Sequence, residues 1–175
     1  MSRVTSHQLV RHRIASFSQE SQRYSDPLIC KDYDWAVIPD SILENPRAKI
    51  LAEGFLAYTK KIREEMDRLN IDLEDSRYFL PNACKTSIVM TMNTRSLWNF
   101  FDFRICTRAQ WEIRRLAKMM FFLVKDAAPA LFGWWTPRCE RGCPEPCGNP
   151  VKVEMEEGTT MTGKTIEYLP KGKMD

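Results

Sequence analysis

The strongest constraint on the fold is a long run with helical periodicity that begins at Asn45-Pro46. Proline is well tolerated in the first turn of a helix, and the apolar residues that follow recur at steps of three and four, as one helical face requires. These residues are Ile50, Leu51, Phe55, Tyr58, Ile62, Met66 and Leu69. The pattern predicts the longest helix of the chain, with this stripe buried.

Shorter patterns predict the other elements. We expect a helix over residues 6–13 with Ser6 as its N-cap, a short helix over 75–79 that stops before Pro81, and a strand over 85–92, where β-branched residues alternate. Two more helices are expected over 94–103 and 108–125, and the polar end, 148–175, reads as a hairpin or a disordered tail. The fold class predicted is α+β: a single domain with a mixed or antiparallel sheet flanked by long helices.

Composition narrows the class of protein. A chain of 175 residues has room for one domain with a hydrophobic core, and 43% hydrophobic with 28% charged residues is typical of a globular protein. No stretch approaches the roughly 20 apolar residues that a membrane-spanning helix needs. The first residues also lack the basic and apolar regions of a secretory signal, so the cytoplasm is the expected location.

The six cysteines fall into two groups. Three are scattered through the chain and are expected to be reduced: Cys30, Cys84 and Cys106. The others form the pattern Cys139-x3-Cys143-x3-Cys147, which could bind zinc. Structural zinc usually has four ligands with closer spacing, and no histidine follows Cys147. Free thiols in a proline-rich loop are therefore favoured over zinc, and no metal site is predicted.

The most distinctive polar cluster is Arg11-His12-Arg13, followed after seven residues by Ser21 and then by Arg23. Arginine side chains pair bidentately with phosphate oxygens, and a serine hydroxyl with loop N–H groups can bind the remaining oxygens. The cluster therefore has the composition of an anion site. Taken alone, the three basic residues are more often a solvated helix end.

The segment 6–24, with Arg-His-Arg, seven residues and then Ser, resembles the signature of flavin-dependent thymidylate synthases. A second stretch agrees in order and spacing with the same family: residues 76–81, 93–100, Arg104 and 109–114. The resemblance covers about residues 2–132, so it implies a family-like domain over 1–133, followed by a Cys- and Pro-containing segment and polar tail over 134–175.

The resemblance implies a reductive methylation of dUMP to dTMP, with methylenetetrahydrofolate as carbon donor, FAD as carrier of reducing equivalents and NADPH as electron source. Chemistry of this kind belongs mainly to the cofactor, while the protein supplies positioning and charge. Family members are homotetramers whose active sites combine residues of several subunits. They carry several dozen residues before the part that corresponds to Ser2-Arg3, so we expect this chain to lack the family's N-terminal portion.

The resemblance also assigns candidate site residues. Those for dUMP are Gln8, Arg11, Gln19, Glu20, Ser21, Gln22, Arg23, Arg77 and Arg104. Those for FAD are Arg11, His12, Arg13, Asn93, Arg95 and Asn99. Arg104 is the catalytic candidate, because a fixed cation beside the pyrimidine would stabilise negative charge on the ring; its alternative role is a surface salt bridge. Ser21 is assigned to phosphate contact, with a nucleophilic role as the lesser alternative because no activating base lies nearby in sequence.

Two other functions remain open. The chain could be a remnant that binds nucleotide without catalysis or only with a partner. It could also bind nucleic acid through its basic N-terminal segment, but the net charge of +3 is modest and no known binding module is present, so this ranks last.

Overall fold

The computed structural model describes residues 1–29, 35–155, 159–162 and 165–168. Its contacts divide the chain into two compact units. The N-terminal unit contains Met1–Val10 and Phe17–Met90, and the C-terminal unit contains Arg11–Ser16 and Thr91–Asp175. Among the described residues, no helix combines the length and the apolar character needed to cross a membrane.

Among the described residues of the N-terminal unit there are four α-helices. They are α1 (Arg3–Leu9), α2 (Asp40–Leu43), α3 (Pro46–Arg68) and α4 (Leu73–Ser76), with short 3-10 helices at Pro27–Ile29 and Arg77–Phe79. Strands β1 (Ser16–Gln19) and β2 (Ile88–Thr91) form a two-stranded sheet. The long helix from Pro46 is confirmed, and so is the helical turn before Pro81.

The first helix differs from its predicted bounds of 6–13. The N-cap is Ser2, whose Oγ accepts a hydrogen bond from the backbone N–H of Thr5 at 3.2 Å, and the helix ends at Leu9. Ser6 is instead an internal residue that is 1% exposed. The correction places Arg11, His12 and Arg13 after the helix, in a connecting segment.

The predicted burial of the apolar stripe on α3 is wrong. Leu56 and Thr59 are each 3% exposed, whereas the apolar residues that alternate with them face outward. The exposed fractions are 68% for Ile50, 69% for Leu51, 56% for Phe55 and 63% for Tyr58. The helix turns its Leu56 side toward the core of the N-terminal unit, whose buried cluster is Leu28, Trp35, Leu56 and Cys84.

The C-terminal unit contains α5 (Thr94–Arg104), α6 (Trp111–Ala127), α7 (Pro129–Phe132) and an antiparallel hairpin of β3 (Thr159–Thr162) and β4 (Thr165–Tyr168). Helix α6 starts three residues later than predicted because Gln110 is its N-cap, accepting from two backbone N–H groups at 3.1 Å. The helices together with two small sheets confirm the α+β class. The predicted boundary near residue 133 stays a prediction.

Aromatic residues form the core of the C-terminal unit. Phe101 of α5 is fully buried and makes edge contacts with Phe121, Phe132 and Trp135, at ring-centroid distances of 5.5, 6.1 and 5.9 Å. Edge-to-face packing is a favoured arrangement of aromatic rings. This cluster fixes the C-terminal half of α5, from which the main candidate residue projects.

Candidate functional site

Two predicted site residues, 92 positions apart, meet in the C-terminal unit. The Nε–H of Arg104 donates a hydrogen bond to Nε2 of His12 at 2.8 Å. The His12 ring packs edge-on against Phe100, with centroids 5.0 Å apart, and Phe100 is fully buried. The Arg-His-Arg segment is thereby held against the last turn of α5.

The electrostatics of this pair favour a neutral imidazole. Burial lowers the pKa of His12, and the positive charge of Arg104 lowers it further. Burial and the nearby Arg11 also lower the pKa of Arg104, but an arginine in a protein remains protonated near neutral pH. The site therefore presents a fixed cation beside a neutral ring.

A cavity of about 580 Å³ opens next to this pair. Its walls include His12, Arg104 and Arg108 and four thiols, which we call the cavity thiols: Cys106, Cys139, Cys143 and Cys147. Arg108 forms an exposed ion pair with Glu145 at 2.8 Å. The C-terminal Cys- and Pro-containing segment therefore forms one wall of the cavity that contains the catalytic candidate.

Asp102 holds that segment against α5. Its Oδ1 accepts a hydrogen bond from the Trp135 indole at 3.1 Å and pairs with the guanidinium of Arg141, while Oδ2 lies 3.5 Å from Nε of Arg138. The Arg138 guanidinium also lies over the Phe103 ring, 4.5 Å from its centroid. One carboxylate thus orders two arginines at the cavity wall.

The residues predicted for FAD all belong to the C-terminal unit. Arg11 and Arg13 are exposed, and among the described residues neither has an ion-pair partner. Arg95 and Asn99 are exposed on α5 at an i, i+4 spacing, so they lie on one face of the helix. Asn93 is the N-cap of α5, and its Oδ1 accepts from the N–H of Ser96 at 2.9 Å, which leaves its amide N–H₂ for a ligand.

Most residues predicted for dUMP belong to the N-terminal unit, where Glu20 fixes their loop. Its Oε1 accepts from the hydroxyl of Ser25 at 2.6 Å, and its Oε2 accepts from the backbone N–H of Ser87 at 3.0 Å. These hydrogen bonds lower the pKa of the Glu20 carboxyl. Glu20 therefore shapes the loop, and its carboxylate would repel a phosphate at close range.

Arg23 and Arg77 are brought together by a residue that the sequence did not single out. Nη2 of Arg23 lies 2.6 Å from Oε2 of Glu74, and Nε of Arg77 donates to the carbonyl of the same Glu74 at 3.0 Å. Arg23 also lies 5.5 Å from the centroid of the Tyr24 ring. Two predicted phosphate-binding cations thus share Glu74 of α4 as a partner, one through its carboxylate and one through its carbonyl.

The remaining predicted dUMP residues have structural partners. Nε2 of Gln19 donates to Ser6 Oγ at 3.1 Å and to Thr86 Oγ1 at 3.3 Å. The amide of Gln22 lies 3.6 Å from the sulfur of Cys84, and Ser21 is exposed, with its Oγ accepting from the N–H of Arg23 at 3.3 Å. Gln8 lies in α1. Their roles toward a ligand stay predictions.

The described cysteines are free thiols, and two of them are opposite extremes of burial. Cys84 is fully buried, and burial raises its pKa to about 11. Cys147 is exposed, and a hydrogen bond with the Thr107 hydroxyl lowers its pKa. The described residues contain no group of three or more His, Cys, Asp or Glu side chains that could hold a metal ion. Cys30 lies outside the described residues.

Sequence reasoning missed Glu74 and Asp102. Glu74 lies in an acidic helical turn and Asp102 in an aromatic-rich helix, and a solvated carboxylate is the ordinary expectation for both. Their partners lie far away in sequence, since Arg23 precedes Glu74 by 51 positions and Trp135 and Arg141 follow Asp102 by 33 and 39. A local pattern contains no signal for such pairs.

Comparison with known proteins gives a consistent result. The sequence model of a family described as thymidylate synthase complementing protein matches residues 1–130. The flavin-dependent thymidylate synthase of Clostridium tetani is 44% identical over 170 residues, which covers 88% of this chain and 68% of that protein. The protein of the same name from Sulfurisphaera tokodaii is 43% identical over 142 residues, which covers 79% of this chain and 52% of that protein.

A solved structure shares the fold. The thymidylate synthase X of Helicobacter pylori, crystallised with FAD and dUMP, superposes with a TM-score of 0.63 at 25% sequence identity. The match covers 75% of this chain and 67% of that one. Across these comparisons the chain spans between about half and two thirds of the length of the proteins that it resembles.

Proposed function

The chain belongs to the thymidylate synthase complementing protein family, and on that basis we propose that it is a flavin-dependent thymidylate synthase, which methylates dUMP reductively to dTMP. The observation that carries the proposal is the contact between His12 and Arg104. Both residues were assigned to the site by resemblance alone, and they lie 92 positions apart. A remnant under no constraint would have no reason to keep them in hydrogen-bonding contact.

Arg104 is the residue proposed to act on the pyrimidine. A preorganised cation stabilises negative charge that develops in a transition state, and more strongly where water is excluded. Arg104 is partly buried and its guanidinium is oriented by His12, so little reorganisation is needed when charge develops on the ring. The arginines proposed for the dUMP phosphate are Arg23 and Arg77, assisted by the loop that contains Ser21.

The residues of the C-terminal unit fit FAD. Arg11, Arg13 and Arg95 are exposed cations suited to its phosphates, and Asn93 and Asn99 supply amides for its polar edges. His12 completes this proposed set. When bound, FAD supplies the reducing equivalents; methylenetetrahydrofolate and NADPH are the proposed carbon donor and electron source. A cytoplasmic location belongs to the same proposal, since free thiols are typical of reducing compartments.

The proposal includes a homotetramer, and the exposed residues of α3 support assembly. Leu51, Phe55 and Tyr58 follow an i, i+4, i+7 spacing, so they form one contiguous face, the α3 apolar face. Large exposed apolar patches mark interaction surfaces. We expect Phe55→Glu to reduce the assembled fraction in gel filtration with light scattering. The control Glu64→Lys, a larger charge change at an exposed position of α3 outside this spacing, should leave that fraction unchanged.

The first test of the function is gel filtration of the full chain after incubation with FAD and dUMP, with flavin absorbance read across the protein peak. We expect flavin to co-elute at the size of a tetramer and dTMP to form when methylenetetrahydrofolate and NADPH are added. Arg104→Ala should retain flavin and lose turnover. Binding of dUMP without flavin would instead identify a nucleotide-binding chain that needs a further segment for catalysis. Salt-sensitive binding of an oligonucleotide without flavin would support the nucleic-acid alternative.

A further inference from the structure

We propose that His12 is a positioning residue for Arg104, acting through a neutral imidazole whose Nε2 lone pair accepts the Arg104 Nε–H. This goes beyond its assignment as a flavin contact, and its catalytic consequence rests on the proposed function. The two roles of His12 differ. As a flavin contact it would act on the cofactor, whereas through this hydrogen bond it orients Arg104, the proposed catalytic cation.

The donor and acceptor assignment follows from the chemistry of the two groups. A guanidinium has only N–H donors, and its Nε is not deprotonated in a protein. The atom that faces it at 2.8 Å, Nε2 of His12, must therefore be the acceptor. A neutral imidazole with an acceptor at Nε2 carries its proton at Nδ1, so the contact defines both the charge and the tautomer of His12.

The packing of the ring makes this contact directional. His12 is held edge-on by Phe100, which lies one helical turn before Arg104 on the same face of α5 and is fully buried. The acceptor thus has a rigid support, and the Nε–H is the branch of the guanidinium nearest the side-chain stem. Binding at this branch restricts the rotation of the whole guanidinium plane about the side-chain stem.

The charges around His12 agree with a neutral ring. Arg104 and Arg108 lie on the same cavity wall, and Arg11 precedes His12 in the chain. The other titratable or charged groups of the cavity are Asp102, Arg138, Glu145 and the four cavity thiols. Asp102 is engaged by two arginines and Glu145 by Arg108, so neither is committed to stabilising a protonated His12. Burial and Arg104 both lower the pKa of the ring.

A dependence on pH follows. Protonation of His12 replaces the Nε2 acceptor by a donor and places two cations in contact, which would expel Arg104 from its position. Because the pKa lies below the ordinary 6.5, the contact is intact near neutral pH and is lost as the pH falls through that lowered value. The turnover number should fall with it, while KM for dUMP changes less, since a misdirected cation affects developing charge more than binding.

Three variants test the role in turnover. In His12→Gln the side-chain oxygen can accept from Arg104 at any pH, so kcat near neutral pH should fall less than in His12→Leu, and the loss at acid pH should weaken. His12→Leu keeps bulk without an acceptor, and its kcat should fall by about 10- to 100-fold, which is the cost typical of a misplaced group. The matched control is His7→Gln, which changes the only other histidine, an exposed residue of α1, and should keep the profile of the wild type. Equal losses in the Gln and Leu variants would overturn the proposal.

A second measurement does not depend on turnover. With ring-labelled ¹⁵N-histidine, the His7→Gln chain gives signals from His12 alone. We expect the Nδ1–H tautomer near neutral pH, and a titration midpoint below 6.5 that rises in the Arg104→Ala variant. An Nε2–H tautomer, or a titration midpoint of His12 that is unchanged in Arg104→Ala, would contradict the contact. A chain with the expected spectrum but no turnover would retain the contact and disprove the proposed function instead.

Discussion

Nη2 of Arg63 lies 3.1 Å from Oδ2 of Asp26, and only 11% and 14% of the two side chains are exposed. This ion pair joins the C-terminal third of α3 to the segment before the first 3-10 helix. The other Asp26 oxygen accepts from the backbone N–H of Leu28 at 3.0 Å. The Asp26 carboxylate therefore binds both Leu28, a residue of the buried cluster, and Arg63 of the long helix α3.

We therefore expect Asp26→Ala to lower the free energy of unfolding by about 3 kcal/mol, because breaking a buried pair leaves an uncompensated guanidinium. The matched control is Asp67→Ala, which removes a second carboxylate 3.9 Å from the same guanidinium but from a residue whose side chain is 80% exposed. Its cost should stay below about 1 kcal/mol. Urea denaturation at one fixed protein concentration measures both, and equal costs would contradict the difference in burial.

The Glu20 carboxylate should make stability dependent on acid pH. Its pKa in the folded chain is lowered from 4.5 by its hydrogen bonds with Ser25 and Ser87, so its contribution is complete above the unfolded value and is lost as the pH falls through the folded value. Glu20→Gln should therefore have a lower urea midpoint than the wild type near neutral pH. The difference should shrink as the pH drops below about 4.5. A difference independent of pH would rule out a charge effect.

The described thiols should react in a defined order. Cys147 is exposed with a lowered pKa, whereas Cys84 is fully buried with a pKa of about 11, and the thiolate is the reactive form. Iodoacetamide applied to the folded chain at mildly alkaline pH should label Cys147 early and leave Cys84 unlabelled until urea is added. Peptide mass spectrometry gives the sites. Thr107→Val should slow labelling of Cys147 several-fold, and labelling of Cys84 at the same rate as Cys147 would refute the described burial.

Asp102 should control the order of the segment that forms the cavity wall. Asp102→Ala removes the partner of Arg138 and Arg141, so trypsin should cleave after these arginines several-fold faster in a timed digest. Glu145→Gln is the control, because it removes only the exposed ion pair with Arg108. If both variants are cut at the rate of the wild type, the carboxylate does not hold the segment.

Local rules were sufficient for much of the fold. The Asn45-Pro46 start and the three- and four-residue spacing located α3, and the residue before Pro81 marked the end of a helical turn, because these signals depend on neighbours in sequence. The start of α1 was misplaced because Ser2 and Ser6 are both plausible caps. Both are buried in the N-terminal unit, and only tertiary contacts such as the β-bridge between Ser2 and Lys85 distinguish the two.

The face that a helix buries was harder to predict. On α3 the apolar stripe is exposed, and the buried side contains Thr59 and Arg63. Hydrophobic periodicity predicts an apolar helix face. It does not predict whether residues of the same chain pack on that face. Arg63 is acceptable inside because Asp26 neutralises it, and this partner lies 37 positions away, beyond any local window.

The candidate site, like the fold, could be predicted only in part from the sequence. Register with the family assigned His12 and Arg104 to the site as contacts of different ligands, and it gave no indication that the two meet within one chain, as the structure shows. Register also gave no indication of Glu74 between Arg23 and Arg77, or of the Cys- and Pro-containing wall of the cavity. Those features depend on ion pairs and segment packing whose members are scattered in sequence, so no local sequence pattern predicts them.

The α3 apolar face also bears on how much working protein a cell obtains from this chain. If the chain assembles as proposed, a newly folded copy exposes Leu51 and Phe55 to chaperones, proteases and other apolar surfaces until that face is covered. Covering it by self-association depends on subunit encounters, so the protected share rises with the concentration of the chain. At low expression, doubling the rate of synthesis should then more than double the amount of folded protein that escapes degradation. The amount of protein would therefore rise more steeply than the number of gene copies.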